Sequence, residues 1–384
     1  MVGTSAITIV AAIVAATMLP QAATAQPIEI AAIGPLTGGS APMGISMLDG
    51  IKLAVAEINR SGGILGRPVT LIERDDRANN ELGARLGKEL TTEHPVVAGV
   101  GLVNTGVTLA AAPYFEQARV PLIVSVATGS LITQQFAPPI YRENYIFRLS
   151  ASTAIEVAMI TEHVVTQGFE KVTVLADTTR YGQVGREDLI AALARHQLRP
   201  VSIDKFNIGD TDMTPQLRRA RDAGADVIVT YGIGPELAAV ASGRAMLGWN
   251  VPIVGAWTLS MSNFIDLAGP SGEGAVMPQT FIQHGDTPKR KTFIEAFQAA
   301  YGLDRIPSPP SAAQGYDSIY VLAAAIEQAG STDGPKIREA LDHLERPIEG
   351  VVKTYDHPFS PENHEAISRA DVVFGIVKDG RVVR

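Results

Sequence analysis

The chain has 384 residues, a formal net charge of −8 and a pI near 5.5; no basic stretch is present to neutralise a run of phosphates, which argues against nucleic acid as a partner. It contains no cysteine, so disulfides, thiolate nucleophiles, Cys-ligated metals and a lipid anchor on a cysteine are excluded. Its length suffices for two domains of ordinary size.

The first segment reads as an address. From Ala6 to Leu19 the chain is apolar or small, interrupted only by Thr8 and Thr17; Pro20 ends the run and Ala23-Thr24-Ala25 offers a small-x-small cleavage site. The run is short of the ~20 apolar residues a permanent span needs, although no Lys or Arg precedes it. A signal peptide over residues 1–25, cleaved after Ala25, is expected, and no later run is long enough to span a bilayer. Export without a lipid anchor points to a periplasm.

Thereafter short apolar runs alternate with helical patterns. Strands are expected at Ile30–Ile33, Val69–Ile72, Val96–Val100, Leu122–Val126, Val172–Leu175, Val227–Val229 and Ile253–Val254, with further runs near Gly274–Met277 and Val372–Val377. They are short and rich in β-branched residues, as strands buried on both faces of a parallel sheet tend to be. Between them Met47, Ile51, Val55 and Ile58 share one helical face, as do Met213, Leu217 and Ala220, then Ile319, Leu322 and Ile326. Alternation of this kind predicts an α/β fold built from right-handed βαβ units. The strands are too many for one comfortable sheet, so two doubly wound parallel-sheet lobes with a ligand cleft between them are expected. Tyr145–Ser150, beyond Pro138-Pro139, is a candidate crossing between lobes. Structured crossings instead of a long linker suggest hinge motion around a ligand.

No catalytic constellation emerges. Gly99–Gly106 follows a strand and opens a helix, but its third glycine falls two positions too late for a dinucleotide loop. No phosphate-cradling GxxxxGK[ST] loop and no GxSxG elbow occur. The seven histidines are scattered without ligand spacing, so no metal or other cofactor is expected; His357 and His364, nearest together, fall in a polar turn region expected at the surface. Asp75-Asp76 reads as a strand-end turn making backbone hydrogen bonds more than as a carboxylate dyad.

Binding chemistry is better represented. Ligands of open α/β sheets sit beyond the carboxyl ends of strands, where loops lead into helix N-termini. Two such loops, Gly101–Thr108 and Ser125–Ser130, are rich in hydroxyls, amides and glycine. Unpaired N–H groups and the positive dipole end could hold a carboxylate there without a dedicated arginine; capping of helices by Thr105, Thr128 and Ser130 is the plainer alternative.

Several blocks in order carry a family resemblance: Ile33-Gly34-Pro35-Leu36-Thr37-Gly38, Asp49–Ala54, Ile58-Asn59-Arg60-Ser61-Gly62-Gly63-Ile64-Leu65-Gly66, Asp75-Asp76, Ile123–Thr128 with Leu131-Ile132-Thr133, and Tyr181-Gly182. They resemble the type I periplasmic solute-binding proteins of the leucine/isoleucine/valine-binding class over essentially the whole mature chain. The resemblance implies a non-enzymatic receptor for an ABC importer, which closes over a small-molecule carboxylate ligand and docks, as a monomer, on an ABC permease of the inner membrane. It places lobe 1 at residues 26–146 plus 278–349 and lobe 2 at 147–277 plus 350–384.

The family's pocket maps onto Asn104 and Thr105, onto Val126 (through its carbonyl) and Thr128, and onto Tyr181. It departs elsewhere: the rim tyrosine becomes Met43, and another aromatic falls at Ile233, with Tyr231 near enough to substitute. The acid that pairs with the ligand's α-ammonium becomes Trp257. An ammonium buried without a carboxylate costs several kcal/mol, whereas tryptophan offers a flat apolar surface. The ligand expected is therefore an aromatic or other organic acid lacking an α-amino group, as some members of the class are thought to take. The alternatives are a branched-chain or other apolar amino acid, with Trp257 in the core and Glu236 or Asp177 meeting the ammonium, or a ligand-sensing regulator of the same fold.

Overall fold

The computed structural model describes Met1 and residues 26–384 apart from Pro95; the expected signal peptide lies outside the described residues. Two sheets organise everything that follows. The first contains β1 (Ile28–Gly34), β2 (Val69–Asp75), β3 (Ala98–Gly101), β4 (Leu122–Val124) and β5 (Ile146–Arg148), in the order β2-β1-β3-β4-β5 and parallel throughout. The second contains β6 (Val172–Asp177), β7 (Ser202–Phe206), β8 (Val227–Tyr231), β9 (Ile253–Gly255) and β10 (Val276–Gln279). After the small hairpin of β11 (Ile348–Glu349) and β12 (Thr354–Tyr355), β13 (Val373–Lys378) and β14 (Arg381–Val383) complete that sheet in the order β14-β13-β10-β9-β8-β6-β7. The fold is α/β with two doubly wound sheets.

Every expected strand run forms a strand, and the central ones, β3, β4, β6 and β8, are buried at all positions. That burial on both faces explains their unbroken apolar sequences. The candidate crossing Tyr145–Ser150 is different in detail, because Ile146–Arg148 is β5 and pairs with Leu122–Val124. The chain leaves the first sheet after Arg148 and enters the second through the helix Thr153–Thr166, which leads into β6. It leaves the second sheet after Gln279. The helix Pro309–Ala329 then packs on Ala41–Arg60, with Gly50 so close to the Ala312 carbonyl that an added Cβ would lie 2.1 Å from it.

The chain stays with the first sheet through Ala366. Asp317, fully buried, accepts the amides of Val351 (2.7 Å) and Val352 (2.9 Å) and the hydroxyl of Tyr355 (2.9 Å). Arg148 donates its amide to His364 O and accepts that of Ala366. The Arg148 guanidinium, 1% exposed, binds both carboxylate oxygens of Glu365 (2.7 and 2.6 Å) and Gly129 O (2.6 Å). His364 is therefore no surface residue: it is buried, stacks on Phe147 with centroids 4.0 Å apart, and lies 2.9 Å from Asp342. His357 is exposed as expected. Among the described residues no helix is long and apolar enough to cross a membrane, and no group of three or more metal-ligating side chains converges.

Candidate functional site

The carboxyl ends of β3 and β4 face those of β8 and β9 across the junction of the two units. Gly101 (φ +114°) and Leu102 (φ +61°) turn the chain sharply out of β3, and Asn104 then starts the helix Thr105–Ala118 without a side-chain cap. Its side-chain Nδ2 instead donates to Ser40 Oγ at 3.1 Å. Thr105 does not cap either, nor does Ser130. The first amides of this helix thus lack the intrahelical partners that no helix start provides. The loop after β4 brings in Val126 and Thr128; Thr128 O accepts the amide of Thr153, and the two hydroxyls lie 3.3 Å apart.

From the other unit, Thr179 caps the helix Arg180–Arg195 and presents Tyr181 in its first turn. Beyond β9, Trp257 begins a short 3-10 turn. These elements enclose a small cavity walled by Met43, Asn104, Thr105, Val126, Thr128, Tyr181, Ile233 and Trp257, together with Val103 and Thr258. Seven of the eight residues expected from the sequence meet there. A second cavity shares Val126, Thr128 and Trp257 and is also lined by Glu156. Their volumes, 20 and 10 Å³, suffice for about one water molecule each, so a larger ligand requires the units to part or the side chains to shift. Asn263 Nδ2, which donates to Gly39 O at 3.0 Å, ties the two units beside this cavity.

The eighth residue, Tyr231, does not reach the cavity. It is fully buried behind Tyr181, ring centroids 5.0 Å apart, and donates to Glu156 Oε2 at 2.8 Å. Gly185 leaves the room for that ring, since an added Cβ would lie 2.1 Å from it. Glu156 is the residue that sequence reasoning missed. It sits in the first turn of the helix Thr153–Thr166, and its Oε1 accepts the amide of Trp257 at 3.2 Å. Burial pushes its carboxyl up to about 7, against the lowering effect of the bonds from Tyr231 and Trp257 and of the Arg148 charge. Neither of the two acids weighed from the sequence lines this cavity: Asp177 accepts from Thr179 N (2.9 Å) and Thr179 Oγ1 (2.5 Å) through Oδ1, its Oδ2 being buried without a partner among the described residues, and Glu236 accepts from Gly209 N (2.7 Å).

Within the cavity wall three buried polar atoms have no hydrogen-bond partner among the described residues: Asn104 Oδ1, Thr105 Oγ1 and the Tyr181 hydroxyl. Thr258 spends its own hydroxyl proton on Gly232 O at 2.7 Å. Burying such atoms unsatisfied costs on the order of 1–3 kcal/mol each. Three of them converging on one cavity is the arrangement of a site built for a polar ligand group.

The sequence profile of the family described as periplasmic binding protein matches residues 27–380. The chain belongs to the periplasmic binding protein family. A curated relative, Leu/Ile/Val-binding protein homolog 3 of Brucella melitensis, is 27% identical over 85% of this chain and 86% of its own. Among solved structures, the leucine-binding protein LivK of Thermotoga maritima superimposes with a TM-score of 0.80 at 26% identity, covering 93% of this chain and 97% of its own. A solute-binding protein of an ABC transporter from Rhodopseudomonas palustris, in complex with 3,4-dihydroxybenzoic acid, does so with a TM-score of 0.79 at 22% identity, covering 93% and 95%. These relatives are named as solute-binding proteins and not as enzymes, and a periplasmic binding protein is expected in the periplasm.

Proposed function

We propose that this chain is the solute-capturing component of an ABC importer, exported by residues 1–25, and that it takes a carboxylate without an α-ammonium group: an aromatic or other organic acid. On this reading one lobe forms around the first sheet and the other around the second, with crossings after Arg148, after Gln279 and before β13. The lobes close on the solute and the monomer docks on its permease. Neighbours of this fold are named for leucine and for dihydroxybenzoate alike, so the fold by itself does not choose the ligand.

The observation that supports the choice is the chemistry of the wall. Thr105 Oγ1, the Tyr181 hydroxyl and the uncapped helix start at Thr105 supply donors for a carboxylate. Asn104 Oδ1 supplies an acceptor for a neutral donor such as a phenol. Trp257 supplies a flat face. No acidic side chain lines this cavity, and Glu156, in the adjoining one, is engaged by Trp257 N–H and Tyr231 O–H.

A second reading, capture of an apolar amino acid, draws on Glu156 itself: it lies one cavity away, and a ligand that displaced the Trp257 contact would meet its carboxylate. The test is a thermal-shift screen of mature protein against benzoate, hydroxybenzoates, leucine and valine. A ligand at 100 times its Kd stabilises by about 2.7 kcal/mol. A shift with benzoates alone supports the first reading, and a shift with leucine or valine alone rejects it.

A further inference from the structure

The walls of a third, much larger cavity come from both units on the side where the chain crosses between the sheets. Its volume is 590 Å³, within the ~300–1,000 Å³ range of small-molecule sites, and it shares no lining residue with the cavity of Asn104, Tyr181 and Trp257. Its apolar walls are Ile265, Phe281, Ile306, Val373 and Val382, of which the first three are buried.

Three cations of the wall are matched within the protein. Arg290 binds Asp286 (3.0 Å) and the carbonyls of Val351 and Val352 (3.0 Å each); Arg305 binds Asp266 (2.6 Å) and Gly380 O (3.1 Å); Lys353 binds Asp371 (2.7 Å). Arg381, on the edge strand β14, and Arg384 just beyond it are exposed, and neither side chain makes a hydrogen bond or ion pair with the described residues. Gln279 also lines the cavity but offers it no free group: it is 1% exposed, its amide nitrogen is spent on Trp257 O (3.0 Å) and Pro278 O (2.8 Å), and its oxygen is buried.

We infer that this cavity is a further ligand site, for an amphipathic organic anion whose apolar body lies on Phe281, Ile306 and Val382 and whose anionic group meets Arg381. The pairing follows the chemistry of the wall: the unmatched guanidinium takes the anion and the apolar wall takes the rings. The site is separate from that of the proposed function, since it needs none of Asn104, Thr105, Tyr181 and Trp257.

The test uses 8-anilinonaphthalene-1-sulfonate, an aromatic sulfonate with one N–H, titrated into native mature protein by fluorescence. The expected result is saturable one-to-one binding that weakens at least fivefold in Arg381→Glu and at least tenfold in Val382→Trp, which fills the cavity. Binding in Thr105→Val is expected to match the wild type. Melting temperature confirms that each variant is folded; Arg381, being exposed, tolerates exchange. No saturable binding, binding that survives both β14 substitutions in folded protein, or loss of binding in Thr105→Val, which would put the dye between the sheets, each overturns the assignment.

Discussion

Glu156 holds Trp257 by the backbone, its Oε1 accepting the tryptophan amide at 3.2 Å while Oε2 accepts the Tyr231 hydroxyl at 2.8 Å. One buried carboxylate therefore fixes both the residue that faces the cavity and the ring on which Tyr181 leans. Replacing Glu156 by Ala strands a buried N–H and a buried O–H, each costing about 1–3 kcal/mol. We expect a clearly lowered melting temperature, measured by circular dichroism. An unchanged melt would mean that water replaces the carboxylate at both donors.

The same carboxyl makes stability depend on pH in a stated direction. Its folded pKa, about 7, lies above the ordinary 4.5 because burial disfavours the charge. The native state then holds a proton that the unfolded chain releases, so this contribution is complete below pH 4.5 and is lost as pH rises through 7. Asp76 and Glu116, pushed up to about 7 by burial, act in the same sense. Glu156→Gln removes one share of the slope. Between pH 4.5 and 7.5 its stability should improve relative to wild type by at most about 3 kcal/mol. Parallel melting-temperature profiles for the two proteins would refute the assignment.

Close helix contact supplies a purely structural prediction. A Cβ at Gly50 would lie 2.1 Å from Ala312 O and 3.1 Å from Tyr316 N, both backbone atoms of the facing helix. Neither can rotate away, so Gly50→Ala must push the helices apart. A loss of about 1–3 kcal/mol is expected, read by denaturant titration; an unchanged midpoint would show that the helices can separate without cost.

How much of this was legible follows from burial. Strands buried on both faces are written as apolar runs, and β1, β3, β4, β6 and β8 were read directly. β7 was not, because as an edge strand it alternates Ser202, Ile203, Asp204 and Lys205, with Ile203 turned outward. β14 escaped although Asp379-Gly380, both at positive φ, carries the two-residue hairpin signal between β13 and β14. In the site, loop residues at strand ends were legible through topology. Glu156 was not, since a glutamate in the first turn of a helix reads as favourable to the helix dipole, and only the tertiary contact of that helix with Trp257 brings it to the adjoining cavity.

The unpartnered hydroxyls predict where affinity resides. Thr105→Val and Tyr181→Phe each remove a polar atom that the protein itself leaves unsatisfied. Stability should therefore hold or rise slightly while affinity for the captured acid falls by about 1.5–3 kcal/mol, roughly 10- to 150-fold, as for hydrogen bonds to charged groups. Calorimetric titration with the acid identified in the thermal screen measures it. Full affinity in both variants would place the carboxylate elsewhere.

Trp257→Glu tests the ligand class most directly. The substitution keeps the backbone amide that Glu156 accepts, so Trp257 N–H stays satisfied, but it replaces a flat apolar face by a carboxylate in the cavity wall. An aromatic acid would lose its stacking surface and meet a like charge in a poorly hydrated place, where such contacts cost several kcal/mol. We expect at least tenfold weaker benzoate binding together with measurable leucine binding, because the new acid can pair with an ammonium. Unchanged benzoate affinity would put Trp257 outside the ligand's path. Weaker benzoate binding without any gain for leucine would still support the stacking role, while showing that the Asn104 and Thr105 side of the cavity does not accept the amino acid's backbone.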